Sequence, residues 1–202
     1  MSDALPGFFQ GTGMPDAAWW EALWPDPAAI LSACGLTGGV NAIDLCAGDG
    51  WFTLPMAQRA RHVLAVDLDP AMLGLARQRL SAQGITNCDF HAADATAVRE
   101  LAAEPAGFVF LANVFHGVPD RTGLVRAIRD VLAPGGVLAI VNWHPRPREK
   151  TVVLGEPRGP KTELRMSPPQ TIAAVEAGGL TSQRIVELPP YHYAALFQRT
   201  PS

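Results

Sequence analysis

The feature that most constrains the fold is a rhythm that starts at Val40, in which short apolar runs alternate with segments of helical periodicity. The apolar runs are Val40–Leu45, His62–Val66, Cys88–His91, Gly107–Ala112 and Val137–Val141. Between them, Trp51–Ala60, Pro70–Gln83, Ala95–Ala103 and Asp120–Leu132 read as helices. In the second of these, Met72, Leu75, Ala76, Arg79 and Leu80 recur at helical spacing and give a mostly apolar stripe. Strands this short and this apolar are buried on both faces, and parallel neighbours need crossover connections. The pattern therefore predicts an α/β fold, a doubly wound and mostly parallel sheet with helices on both faces. A further helix is expected at Pro169–Ala177, stopped by Gly178-Gly179, followed by strands at Ser182–Leu188 and His192–Arg199. Pro189-Pro190 marks the turn between the two strands, so the last strand is expected to pair antiparallel.

Two segments break the rhythm. Residues 1–39 hold three of the five tryptophans, Trp19, Trp20 and Trp24, with helices expected from Asp16 to Leu23 and from Pro27 to Cys34. They form an N-terminal helical cap on a single domain spanning residues 40–202. The stretch from Pro145 to Met166 is polar, locally basic and rich in proline and glycine, and reads as a loop or lid.

Composition narrows the function classes. Hydrophobic residues make up 48% and charged residues 17%, enough apolar material for a sizeable core. A net charge of −3 argues against broad electrostatic binding to nucleic acid, so no nucleic-acid partner is expected. Cys34, Cys46 and Cys88 show no paired spacing, which suits a reducing compartment and gives no metal site. No basic-then-apolar leader and no apolar run of membrane-spanning length occurs, so a cytoplasmic protein without a membrane partner is expected. Oligomeric state is not legible.

The chemistry begins at Ala42-Ile43-Asp44-Leu45-Cys46-Ala47-Gly48-Asp49-Gly50, a buried strand leading into a glycine turn and a helix. Small residues let the backbone approach a ligand, and ligands of doubly wound sheets bind beyond the carboxyl ends of the strands. A tight turn with no ligand at all fits this stretch as well. About twenty residues on, the second strand ends in Asp67, an acid placed to accept hydrogen bonds from ribose hydroxyls. The plain alternative is helix capping, for which Asp69-Pro70 is the better pair. Asp94, just past the third strand, is placed either to meet the amine of adenine or to cap the next helix.

These three elements in order resemble class I, Rossmann-like, S-adenosylmethionine-dependent methyltransferases, over essentially all of Val40 to Arg199. The resemblance also rests on Val66-Asp67-Leu68-Asp69-Pro70, on Phe110-Leu111-Ala112-Asn113-Val114-Phe115-His116, and on Leu132-Ala133-Pro134-Gly135-Gly136. It implies a seven-stranded sheet with an antiparallel last strand and S-adenosylmethionine as cofactor, with S-adenosylhomocysteine as product. It implies that Asp44 and the turn Cys46, Ala47, Gly48, Asp49 and Gly50 surround the methionine moiety. It further implies that Asp67 binds the ribose, Leu68 packs on adenine, Asp94 with Ala95 meets the adenine amine, and Asn113 contacts the methionine end. The family usually has glycine where this chain has Cys46. A hydride-transfer enzyme of related fold would favour a third glycine where this chain has Thr53.

The acceptor end is less legible. Methyl transfer from a sulfonium needs alignment and exclusion of water more than covalent help. His116, past the fourth strand, and His144, past the fifth, are the candidate bases; a packed structural histidine is the alternative for each. Trp19, Trp20 and Asn142 are candidate acceptor contacts, although the tryptophans also suit a role pinning the N-terminal segment to the sheet. In the basic loop, Arg146, Arg148, Lys150, Arg158, Lys161 and Arg165 outnumber the acids and suit an anion, or simply a solvated face. Asn113 and Asn142 stand where a metal-dependent catechol-type enzyme would need acids, and the Pro-Pro-aromatic motif of nucleic-acid amine methyltransferases is absent. The expectation is metal-independent methyl transfer to a small-molecule oxygen, nitrogen or sulfur acceptor. The alternatives are a non-catalytic module binding the cofactor, or another nucleotide-binding Rossmann-like enzyme.

Overall fold

A computed structural model describes residues 17–199; the expected helix start at Asp16 lies outside the described residues. Two short helices come first, α1 (Ala17–Leu23) and α2 (Pro27–Ala33). Asp26 caps α2 by accepting from the Ala29 N–H at 2.9 Å, with Pro27 in the first turn. The alternation then runs β1 (Asn41–Leu45), α3 (Thr53–Ala57), β2 (His62–Asp67), α4 (Pro70–Ser81), β3 (Cys88–Ala92), α5 (Val98–Leu101), β4 (Ala106–Ala112), α6 (Arg121–Val131) and β5 (Leu132–Trp143). A two-residue ladder, β6 (Val152–Val153) with β7 (Glu156–Pro157), sits inside the basic loop. The chain closes with α7 (Pro168–Glu176), β8 (Thr181–Leu188) and β9 (His192–Gln198).

Seven strands form one sheet in the order β3-β2-β1-β4-β5-β9-β8, the doubly wound architecture expected from the alternation. β1 to β5 are mutually parallel, and β9 runs antiparallel between β5 and β8. The order reverses between β1 and β4, so the connections leaving their carboxyl ends diverge and open a crevice there.

Period-two alternation puts half of each strand on either face. Ala42, Phe108, Phe110, Ala139, Val141 and Leu196 face a cluster closed by Trp20, Trp24 and Leu31 of the N-terminal helices. Ile43, Leu45, Val109, Leu111, Leu138 and Ile140 face the opposite cluster, closed by Leu124, Val125 and Ile128 of α6. Among the described residues no helix is long and apolar enough to cross a membrane.

Several element boundaries differ from expectation, and the helix expected at Ala95–Ala103 is a 3-10 turn at Ala95–Ala97 followed by the single turn of α5. The helix expected at Trp51–Ala60 is only Thr53–Ala57, because the Asn87 amide donates to the carbonyls of Ala57 (2.9 Å) and Ala60 (3.1 Å) and unwinds its end. The fifth strand, expected at Val137–Val141, runs from Leu132 to Trp143: a bulge opposite Ala106 and Phe108 admits Gly135 and Gly136, and β9 extends the other end by pairing His192 with Trp143.

Candidate active site

The crevice is a cavity of about 850 Å³. Its floor is the carboxyl ends of β1, β2, β3 and β4, its far wall is the basic loop, and Trp19 and Trp20 of α1 close one side.

The turn after β1 is held by Asp67. Its Oδ2 accepts from the Gly48 N–H at 2.8 Å and its Oδ1 from the Asp69 N–H at 2.9 Å, which ties the end of β2 to the turn after β1. Burial raises the Asp67 pKa, while these backbone N–H groups offset part of the rise. Asp69 caps α4 through the Ala71 N–H, so the two acids divide the roles that one sequence stretch left open. Asp94 accepts from Thr96 through both backbone N–H (2.8 Å) and hydroxyl (2.6 Å), and it also lines the cavity. Asp44 is buried and accepts from the Thr53 hydroxyl at 2.6 Å. Burial pushes its pKa up to about 7, the Thr53 hydrogen bond opposes the rise, and the Asp67 carboxylate adds to it. Thr53, in the place a hydride-transfer enzyme would give to glycine, thus orients Asp44.

Two residues on the cavity wall hold left-handed backbone without being glycine: Cys46 (φ +60°) and Asn113 (φ +64°), just past β1 and β4. Such conformations cost on the order of 1–2 kcal/mol and gather where a backbone is shaped for a ligand. The Asn113 N–H donates to the Val141 carbonyl at 2.8 Å. Its side-chain amide is buried with neither nitrogen nor oxygen paired among the described residues. A buried amide left so is costly unless a ligand completes it.

Asp44, Cys46, Ala47, Gly48, Asp67, Leu68, Asp94, Ala95, Asn113, Trp19 and Trp20 all line the cavity. Five expected residues are placed elsewhere. Gly50 (φ +82°) lies against α4, where an added Cβ would stand 2.8 Å from that of Ala76. Asp49 pairs with Arg79 of α4 at 2.5 Å. Asn142 is buried and donates to Thr171 of α7 at 3.1 Å. His144 contacts Glu187 of β8 at 2.9 Å. His116 is buried in a 3-10 turn behind the wall; burial first, and the nearby Arg121 and Arg165 second, push its pKa down to about 4.

Sequence reasoning missed Trp143, Trp51 and Asp120 on the wall. Trp143 ends β5, a position readable only if that strand is drawn to its full length. The basic loop proves to be built rather than loose. Arg165 is buried and donates to the carbonyls of Pro160 (3.1 Å), Arg146 (2.9 Å) and Arg158 (3.1 Å) and to the Thr151 hydroxyl (2.9 Å), with its guanidinium 5.0 Å from the Trp143 ring.

Residues 42–136 match a family model described as a methyltransferase domain. A ubiquinone biosynthesis O-methyltransferase of Xanthomonas axonopodis pv. citri is 30% identical over 141 residues, covering 64% of this chain and 57% of that protein. The tRNA 5-carboxymethoxyuridine methyltransferase of Escherichia coli K12 is 28% identical over 123 residues, covering 60% and 47%. The chain thus spans about half the length of the curated relatives it matches. Among solved structures, a SAM dependent methyltransferase from Aquifex aeolicus superposes with a TM-score of 0.76 at 21% identity, covering 92% of this chain and 94% of that one. The tRNA-modifying relative overturns one expectation: net charge and a missing motif do not exclude a nucleic-acid acceptor. Bulk charge averages over a surface, whereas an acceptor base is recognised in a pocket.

Proposed function

We propose that this chain, whose residues 42–136 match a methyltransferase domain and whose fold is that of a SAM dependent methyltransferase, is a class I, Rossmann-like enzyme transferring a methyl group from S-adenosylmethionine to an oxygen, nitrogen or sulfur atom of a small acceptor. The observation that carries the reading is the cavity itself. The N-terminal tryptophans wall it rather than fill it, so room for an acceptor continues beyond the acidic end. A non-catalytic binding module would have no use for that extra space.

The residues suit the cofactor. Asp67 and Asp94 offer carboxylate oxygens to hydroxyls and an amine, Asn113 offers a buried amide without a partner among the described residues, and Asp44 offers negative charge to a cationic ligand. When bound, S-adenosylmethionine supplies an electrophilic methyl on a sulfonium, which departs as a neutral thioether. The protein's part is to hold, align and dry the reactants. Trp19, Trp20 and Trp143 keep water from the acceptor side, and the strained turns at Cys46 and Asn113 fix the donor side in advance. Neither His116 nor His144 reaches the wall, so the reading is catalysis by proximity, without a dedicated base. Metal independence belongs to the same proposal, resting on the amides of Asn113 and Asn142 where acids would be needed. A cytoplasmic setting also belongs to it, supported by three unbridged cysteines. A second reading, favoured by the tRNA-modifying relative, has a modified base entering the same cavity.

Calorimetric titration with S-adenosylmethionine and S-adenosylhomocysteine, with NAD as control, tests the proposal. Micromolar binding of both sulfur ligands, weakened at least tenfold in Asp67→Asn, is expected. Absence of binding, or preference for NAD, overturns it.

A further inference from the structure

The cavity is electrically two-ended. Its acids Asp44, Asp67, Asp69 and Asp94 lie at the strand ends or within two residues of them, and Asp120 stands at the start of α6. Its cations, Arg148 and Arg158, come from the basic loop that follows β5, on the other side of the topological switch. We infer that Arg158 and Arg148 form an oxyanion site, and that the acceptor is a flat molecule whose carboxylate or phosphate is held there while its ring rests among Trp19, Trp20 and Trp143. The inference rests on the methyl-transfer reading, because that reading assigns this end of the cavity to the acceptor.

Four observations carry it. Neither arginine has a carboxylate partner among the described residues, whereas Arg61, Arg79, Arg99 and Arg129 each pair with one. Arg148 donates its Nε to the Gly159 carbonyl at 3.0 Å, which anchors the side chain while leaving its terminal nitrogens to other partners. The Arg158 Nε is shielded from solvent and lacks a hydrogen-bond partner among the described residues, so the side chain meets the cavity through the terminal nitrogens of its guanidinium. The Arg158 guanidinium also lies 5.5 Å from the Trp19 ring, which holds its fork in place at the wall.

The loop keeps this geometry through Arg165, the third arginine, which is spent internally. Arg165 gathers the carbonyls of Arg146, Arg158 and Pro160 and so sets the chain on both sides of the two wall arginines. Gly159 (φ +87°) lets the loop pass Trp143 closely, since an added Cβ would meet that ring at 2.8 Å. The charge is therefore on a fixed surface, where a bidentate contact to an oxyanion gives direction as well as affinity. Opposite charge at the two ends would orient such an acceptor with its anion away from Asp44 and Asp67.

The test uses tryptophan fluorescence of the full chain with three probes of one shape: 2-naphthoate, 2-naphthyl phosphate and the neutral 2-naphthamide. Each is titrated with and without S-adenosylhomocysteine, into the wild type, Arg158→Gln and Arg148→Gln. Expected is binding of at least one anion, weakened roughly tenfold to a hundredfold in Arg158→Gln, as for loss of a charged hydrogen bond. The amide should bind weakly and be indifferent to the substitution. Preference for naphthyl phosphate assigns a phosphate-bearing acceptor, and preference for naphthoate a carboxylate. Thermal unfolding of each variant, with Arg158→Lys as a charge-keeping control, separates a lost contact from a lost fold. Equal binding of amide and anions, or anion binding untouched in both variants, overturns the inference. Titration with S-adenosylhomocysteine alone keeps the two readings apart. Its binding with no anion site leaves methyl transfer standing; failure of the homocysteine ligand to bind removes the acceptor assignment even if the anions bind.

Discussion

Replacing Asp44 with asparagine should change stability in a way that depends on pH, and both sign and size follow from the structure. Burial lifts the Asp44 carboxyl from its ordinary value of 3.8 to about 7, with Thr53 opposing and Asp67 adding to the shift. The folded protein therefore holds this proton more tightly than the unfolded chain does. Stability from this group is intact below the unfolded value and is lost as pH rises through the folded one. A shift of about three units corresponds to about 4 kcal/mol once both states have ionised, of which roughly 2–3 kcal/mol falls between pH 5 and pH 8. Asparagine fills nearly the same volume and can still accept from Thr53, but it does not titrate. Urea unfolding of wild type and Asp44→Asn at pH 5, 6, 7 and 8 should show the variant gaining roughly 2–3 kcal/mol on the wild type across that range. The subtraction cancels His116 and His192, whose depressed pKa values act in the opposite direction. A constant difference between the two proteins at all four pH values would refute the reasoning. A cationic ligand at the acidic end should reverse the trend, tightening as pH rises because it gives the ionised Asp44 a partner.

His192 lies between Trp24 and Trp143, with centroids at 4.4 and 4.1 Å, and neither ring nitrogen has a hydrogen-bond partner among the described residues. Burial holds its pKa well below 6.5, so stability should be lost as pH falls past that value; His192→Phe should stay within about 1 kcal/mol of wild type at pH 7 and melt higher at pH 5. Arg165→Met removes four hydrogen bonds and should loosen the loop by about 3–5 kcal/mol, seen as faster tryptic cleavage after Lys150 and Lys161; an unchanged cleavage rate counts against its keystone role. Cys46→Gly relieves a left-handed residue while adding freedom to the unfolded chain, so a change under about 1 kcal/mol is expected. Cys46→Val, branched at Cβ in that conformation, should lose about 2 kcal/mol or more by the same urea assay.

The same local rules explain which expectations met the structure. Asp26, Asp69 and Asp120 each cap a helix, and Asp26 and Asp69 stand directly before a proline. That signal is carried by neighbours in sequence, so it survives in the fold. Asp67 ends β2 and Asp94 stands two residues past the end of the adjacent parallel β3, where Asp67 pairs with Ala92, which brings both acids to one crevice. His116 does not reach the wall, because the left-handed turn at Asn113 and the 3-10 turn at Phe115–Gly117 decide where it lies.

What the sequence determined by itself was the α/β alternation from Val40 to Val141, the crevice end of the strands, and the acids that line it. Those features depend on period and spacing, which act over a few residues. Only the tertiary structure decided among chemically equal residues. Asp49 and Asp67 both flank a turn, yet one pairs with Arg79 and the other binds the Gly48 amide. Arg158 and Arg165 share a loop and a charge, yet one lines the cavity while the other is buried among carbonyls. Charge and size do not distinguish them; the distinction comes from Trp143 and the carbonyls that long-range packing brings around each guanidinium.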